Sequence, residues 1–272
     1  MSRFPKWLVL RRVVQVSTVA SFAVATHLGA TQLLRGTLSS SLILDTVPLS
    51  DPFAVLQMLA AGHAVASSAL IGAALVLGFY ALIGGRAFCS WVCPVNLLTD
   101  LAAAINKRHK LRSVVRLPRT TRFAVLALTI ALSALLGVAA FEWISPIGVL
   151  QRMVIYGLGA GWTVVGGLFL FDLLVMERGF CGHLCPLGAF YAVVGARPAL
   201  RIRFDEAACT DCMACHKICP ERHVLKPILP TGPRAPWIDA GACTNCGRCI
   251  DVCEDHALRF GVRTPLLRRD PP

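Results

Sequence analysis

The sequence predicts an α-helical membrane protein with four transmembrane helices and a small cysteine-rich α+β domain at its C-terminal end. Three observations carry that prediction. The 272 residues are 56% hydrophobic and only 15% charged, too apolar for an ordinary soluble chain. Four apolar stretches, Val13 to Leu34, Ala60 to Ile83, Phe123 to Ala140 and Val154 to Met176, are each long enough to cross a bilayer. Eight of the twelve cysteines fall after Arg197-Pro198 in two tight runs, which places a membrane domain at 1–198 and a second domain at 199–272.

The spans are oriented by their flanks. Arg3, Lys6, Arg11 and Arg12 precede or open the first. The segment between the second and third holds Arg86, Lys107, Arg108, Lys110, Arg112, Arg116, Arg119 and Arg122 against the single acid Asp100. Lys and Arg accumulate on the cytoplasmic side, so both chain ends are expected in the cytoplasm of a multi-pass inner-membrane protein. The net charge of +12 is thereby explained by topology, and a nucleic-acid partner is excluded as its cause. The first apolar run is longer than the core of a cleaved signal, so it reads as a retained anchor.

The membrane part repeats. Arg86-Ala87-Phe88-Cys89-Ser90-Trp91-Val92-Cys93-Pro94 and Arg178-Gly179-Phe180-Cys181-Gly182-His183-Leu184-Cys185-Pro186 share the pattern R-x-F-C-x3-C-P. Upstream, Asp51-Pro52-Phe53-Ala54-Val55-Leu56 corresponds to Ser145-Pro146-Ile147-Gly148-Val149-Leu150, each expected to open the second helix of a hairpin. Two copies of one hairpin in the same orientation put both cysteine motifs at the cytoplasmic surface.

The C-terminal runs read Cys209-x2-Cys212-x2-Cys215-x3-Cys219-Pro220 and Cys243-x2-Cys246-x2-Cys249-x3-Cys253. Three thiolates two residues apart can wrap one corner of a cubane, and the fourth reaches the other cluster, as in two-cluster bacterial ferredoxins. The predicted sets are therefore crossed: Cys209, Cys212, Cys215 and Cys253 for one 4Fe-4S cluster, and Cys243, Cys246, Cys249 and Cys219 for the second. Zinc prefers paired C-x2-C motifs and is the weaker reading. Cys212-x2-Cys215-His216 also fits the haem-attachment pattern, but those cysteines already belong to the cluster run. Leu200 to Phe204 and Ala257 to Arg263 are expected to be strands that pair and close this domain.

With these motifs in place, the sequence resembles the NapH family of ferredoxin-type quinol dehydrogenase membrane components of periplasmic nitrate reductase systems. The resemblance runs over nearly the whole chain, including Gly36-Thr37-Leu38-Ser39-Ser40-Ser41, the stretch from Phe79 to Cys89, and Phe180 to Tyr191. It implies quinol as substrate, a periplasmic polyferredoxin (NapG-like) and a periplasmic nitrate reductase system as partners, and electrons leaving through iron–sulfur clusters. Relatives that share the C-x3-C-P motifs include a nitrous oxide reductase regulator and a copper reductase. Metal reduction or enzyme maturation is therefore the alternative function.

Cys89, Cys93, Cys181 and Cys185 sit at matching depths and admit three readings: an additional metal site, a redox dithiol, or helix ends turned by Pro94 and Pro186. Quinol oxidation releases protons, so His27, His63, Glu142 and Arg152 are candidates for the quinol site. A haem shared by His27 and His63 is disfavoured, since counting about 1.5 Å per residue leaves them at different depths. Asp172 and Glu177 read as snorkelling charges at the end of the fourth span.

Overall fold

The computed structural model describes residues 5–29, 32–110, 113–115, 117–157 and 159–263. Of the basic residues used to orient the spans, Arg3, Arg112 and Arg116 lie outside these. Contacts group the described chain into two compact units, each assembled from separated stretches of sequence. A helical unit takes its residues from Gln15–Leu77 and Val92–Phe190; a cysteine-rich unit takes its residues from Met1–Val14, Gly78–Trp91 and Tyr191–Pro272.

Helix α1 (Lys6–His27) has 22 residues and is the one helix among the described residues both long and apolar enough to cross a membrane. At about 1.5 Å per residue it spans roughly 33 Å, the thickness of a hydrocarbon core. It starts earlier than the apolar run that begins at Val13, because its first free N–H groups have a partner. Trp7 N and Leu8 N donate to the two carboxylate oxygens of Asp251 at 3.1 and 3.0 Å, and Arg11 is buried instead of marking an aqueous flank. It ends earlier too, before a three-stranded antiparallel sheet that the sequence reading missed: β1 (Leu34–Gly36), β2 (Ser40–Ile43) and β3 (Val47–Ser50).

The other apolar stretches are subdivided. Asp51 caps α2 (Pro52–Ala60) through a hydrogen bond from Phe53 N, and a break precedes α3 (Ser67–Ile83), so the expected span from Ala60 to Ile83 is helical only from Ser67. Next come α4 (Ala87–Trp91) and α5 (Val95–His109), then α6 (Thr121–Leu136), which stops short of Ala140. Short α7 (Ala140–Ile144) leads into α8 (Pro146–Tyr156). The chain leaves α8 at Gly157 with φ of 94°, a conformation a side chain would oppose, and resumes as α9 (Gly161–Leu170) with a π-helical turn over Phe171–Val175. The repeated Asp51-Pro52 and Ser145-Pro146 motifs thus open separate short helices, not the long ones that follow. In the π turn, Asp172 is fully buried and accepts a hydrogen bond from Phe180 N at 3.0 Å, which replaces the snorkelling role expected for it.

Within the helical unit the repeats are tied reciprocally. Gln57 and Gln151 occupy the same position in α2 and α8, six residues into each helix counting its proline as the first, and both are buried. Gln57 Oε1 accepts from Phe141 N at 2.9 Å in the second copy, and Gln151 Oε1 accepts from Leu38 N at 2.8 Å in the first. Phe53, with no exposed surface, packs between Phe141 and Phe190 at centroid distances of 5.8 and 5.4 Å.

The helix α10 (Pro186–Val194) begins in the helical unit and ends in the cysteine-rich unit, where β4 (Leu200–Phe204) pairs antiparallel with β5 (Leu258–Val262) as the sequence leads one to expect. Between them lie α11 (Ala214–Ile218), a 3-10 helix over Arg222–Ile228 and α12 (Arg248–Asp251). Ile202, Phe204, Val224, Leu225, Ile228, Ile238 and Leu258 form the core with the cysteines against it. The stretch after α3 joins this unit by close backbone approach: a Cβ on Gly85 would overlap the Tyr191 carbonyl oxygen. Replacing the cap of α1 with Asp251→Ala should lower stability by about 1 kcal/mol. Thermal unfolding of the detergent-solubilised protein measures this, and an unchanged midpoint would mean the cap is immaterial.

Candidate iron–sulfur site

The two cysteine runs adopt matching loops. Asp211 and Met213 in the first, and Asn245 and Gly247 in the second, all have positive φ, of 56°, 59°, 47° and 72°. Each pair lies at the same offset from its leading cysteine. Left-handed residues of this kind turn successive backbone N–H groups toward one concavity, where they favour a negatively charged group. The leading thiols point the same way locally, with Cys209 Sγ 3.5 Å from Asp211 Oδ1 and Cys243 Sγ 3.5 Å from Asn245 Oδ1.

The thiols fall into two neighbourhoods. Cys209, Cys212, Cys215 and Cys253 line a common cavity with Phe204, Met213 and Leu258. Burial pushes the Cys215 thiol up, and Cys212, Cys209 and Cys253 add to the effect, while the His216 N–H opposes it. Burial likewise pushes Cys249 well above the ordinary thiol range, reinforced by Cys246, Cys243, Cys219 and Cys215. Cys253 thus stands with the first run, and Cys219 reaches Cys249 of the second. Cys243 is raised by burial and by Cys246, against the Asn245 N–H and the guanidinium groups of Arg201 and Arg86. Buried, clustered thiolates repel one another, so this donor set fits a cationic iron–sulfur core, which takes up four thiolates at once.

Sequence reasoning missed the residues that hold these loops. Arg86, 3% exposed, pairs with Glu221 at 2.7 Å and donates to Ala242 O at 3.0 Å. Glu221 follows Cys219-Pro220 and Ala242 precedes Cys243, so one guanidinium bridges the end of one run and the start of the other. Ser90 Oγ donates to Thr244 O at 2.7 Å and Trp91 Nε1 to Asn245 O at 3.0 Å. Asn245 Nδ2 in turn donates to Ile83 O and Leu200 O at 2.7 and 3.1 Å. The available signal was the arginine itself, present at the head of both R-x-F-C-x3-C-P copies. In the second copy Arg178 pairs instead with Asp100 at 2.6 Å.

The C-x3-C-P thiols are divided between the units. Cys89 lies on α4 in the cysteine-rich unit, and Cys93, Cys181 and Cys185 lie in the helical unit. Within the latter, Cys181 is surrounded by Cys93, Cys185, Asp172 and Thr99; burial raises its thiol far above the ordinary range, the two cysteines and Asp172 add to this, and the Thr99 hydroxyl opposes it. The quinol-site candidates do not converge as a set. His27 ends α1 and is exposed, His63 is exposed with Nε2 2.8 Å from Gly137 O, and exposed Arg152 donates from Nε to Gly148 O. Glu142 is half-buried and accepts from Ser39 Oγ at 2.8 Å. Replacing Arg86 with methionine should remove the ion pair of buried Glu221 and destabilise the cysteine-rich unit by about 3 to 5 kcal/mol. Adding Glu221→Gln should recover part of that loss, and denaturant unfolding of both variants followed by cysteine accessibility tests the pair.

Models of 4Fe-4S binding domains match residues 65–112 and 158–204, residues 201–225 and residues 236–259. The first of these covers both C-x3-C-P motifs, and the other two cover the two C-terminal runs. The chain is 46% identical to the methylamine utilization ferredoxin-type protein MauN of Methylorubrum extorquens, over 84% of this chain and 79% of that protein. It is 44% identical to the ferredoxin-type protein NapH of Escherichia coli over the same shares, and 43% identical to NapH of Haemophilus influenzae over 81% of this chain and 77% of that protein. No solved structure gives a significant match. Two NapH proteins aligned across more than four-fifths of the chain, with every cysteine motif inside a matched 4Fe-4S domain, show that the chain belongs to the NapH family of ferredoxin-type proteins, to which MauN is related.

Proposed function

We propose that this ferredoxin-type electron-transfer protein is a membrane quinol dehydrogenase component that passes electrons from quinol through iron–sulfur clusters toward a periplasmic nitrate reductase system with a NapG-like polyferredoxin. The observation that carries the reading is the grouping of the C-terminal thiols into two neighbourhoods in a chain whose first helix is long and apolar enough to span a bilayer. Cys209, Cys212, Cys215 and Cys253 would hold one 4Fe-4S cluster, and Cys243, Cys246, Cys249 and Cys219 the other. Such clusters supply one-electron acceptance and release at potentials set by their surroundings. The protein's part is to present eight thiolates, to keep Arg86 and Arg201 close enough to Cys243 to favour its ionised form, and to exclude water with the core around Ile202 and Leu225.

Four membrane crossings, cytoplasmic termini and a domain boundary near residue 198 belong to the same proposal. The apolar helices Ser67–Ile83, Thr121–Leu136 and Gly161–Val175 support it by their composition, although each is shorter than the roughly 20 residues of a full span and would need local thinning of the bilayer. Large apolar side chains such as Leu82, Leu128 and Leu135 are exposed on them, as a lipid-facing surface requires. Cys93, Cys181 and Cys185, which lie in the helical unit, would provide donors for a further centre.

The buried grouping of Cys93, Cys181 and Cys185 favours a second reading, delivery of electrons to a soft metal such as copper for reduction or enzyme maturation. Anaerobically purified protein should contain about eight irons per chain, or about twelve with a cluster at the C-x3-C-P motifs, four per cubane. Adding quinol should bleach the oxidised-cluster absorbance. No bleaching together with stoichiometric copper on the C-x3-C-P cysteines would favour the second reading over the first. Substituting Cys219→Ser should damage the cluster held by Cys243, Cys246 and Cys249, as read by electron paramagnetic resonance. Loss confined to the other cluster would refute the crossed ligand sets.

A further inference from the structure

We infer that Gln151 and Glu142 form the head-group site for the quinol, the buried carboxamide donating to a quinol oxygen and the carboxylate receiving the hydroxyl proton. This rests on the quinol-oxidising reading above and gives it an address within the helical unit.

The repeat exposes the feature. Gln57 and Gln151 are equivalent positions, and each uses its carboxamide oxygen to accept a backbone N–H from the opposite copy. In the first copy the carboxamide nitrogen is also satisfied, donating to Phe53 O at 3.4 Å. In the second copy Gln151 Nε2 is buried without a hydrogen-bond partner, on a residue only 1% exposed. A buried donor left unmade is costly, and the same helix position has a solution to hand in the other copy. Its retention points to an acceptor that arrives with a ligand.

A proton acceptor is tied to the same segment as this donor. Leu38 N donates to Gln151 Oε1, and the next residue, Ser39, donates from Oγ to Glu142 Oε2. Two adjacent residues on the segment between β1 and β2 therefore hold one oxygen of each side chain, leaving Gln151 Nε2 and Glu142 Oε1 for a ligand. Trp143 and Ile144, which follow Glu142 directly, are 76% and 72% exposed. An aromatic and an aliphatic side chain on the outer surface suit the approach of a lipid-soluble molecule from the membrane interface. A donor, a carboxylate and exposed apolar side chains next to the carboxylate in sequence suit a hydroquinone ring.

Oxidation of the quinol would break both O–H bonds, one proton going to Glu142 and the other to water, and would release two electrons for which iron–sulfur clusters held by the protein are one-electron acceptors.

The test uses the full-length, cluster-loaded protein in detergent. Heptyl-hydroxyquinoline N-oxide, a quinol analogue whose fluorescence is quenched on binding, reports occupancy, and duroquinol reports electron entry. Gln151→Glu keeps the oxygen that Leu38 N needs but removes the donor, and should weaken analogue binding about tenfold. Glu142→Gln keeps the Ser39 contact, should bind the analogue within about twofold of the parent, and should slow cluster reduction by duroquinol about a hundredfold. Reduction by dithionite should be unchanged in both, which confirms intact clusters and folding. If the parent binds the analogue and is reduced by duroquinol while both variants behave like it, the site is overturned and the quinol reading stands. If the parent does neither, the quinol reading falls, and the site with it.

Discussion

The guanidinium of Arg86 is the contact on which the cysteine-rich unit depends. It reaches Glu221 after the first cysteine run and the Ala242 carbonyl before the second, at 2.7 and 3.0 Å, with almost no exposure to solvent. Two ligand loops far apart in sequence are thereby fixed to one cation, and the short helix that carries Cys89 is fixed to them as well through Ser90 and Trp91. Arginine suits this position because its planar fork can bond a carboxylate and a carbonyl at once while staying charged. The ion pair is buried, so the Coulombic gain is offset by desolvation, and its worth lies in holding one geometry more than in net stability.

The same cation bears on the chemistry of the thiols. Burial and mutual repulsion push Cys215, Cys243 and Cys249 toward the protonated form, whereas cluster assembly needs thiolates. Arg86 and Arg201 oppose that trend at Cys243. Arg201 is itself buried and donates to Gly195 O and Asp239 O, so its charge is held in place by carbonyl oxygens and not by a neutralising carboxylate at close range. Cluster binding would therefore favour the folded form of this unit, by giving the thiols a common centre to bond.

Repetition and its breakdown carry most of the functional information. Arg86 and Arg178 head identical motifs, yet one grips the cluster loops and the other pairs with Asp100 in the helical unit. Gln57 and Gln151 clasp opposite copies in the same way, yet only Gln57 satisfies its carboxamide nitrogen. A duplicated hairpin imposes equivalent backbone positions. What differs at those positions is what each copy must contact, and function resides in the difference.

Read by itself, the amino-acid sequence determined the features that depend on local spacing. Cysteines separated by two and by three residues announce cluster loops, the short stretches from Leu200 and from Ala257 announce the paired strands, and R-x-F-C-x3-C-P announces the repeat, because ligand spacing and segment length are short-range properties of the chain. Tertiary structure alone decided where the apolar stretches break and which polar groups meet. α1 begins at Lys6 because Asp251, more than two hundred residues away, caps it; the stretch from Val154 is cut at Gly157; and Gln151 meets Leu38 across the repeat. No window of sequence contains both partners of such contacts, and hydropathy measures how well a segment tolerates lipid without recording which distant carboxylate or carbonyl will satisfy its ends.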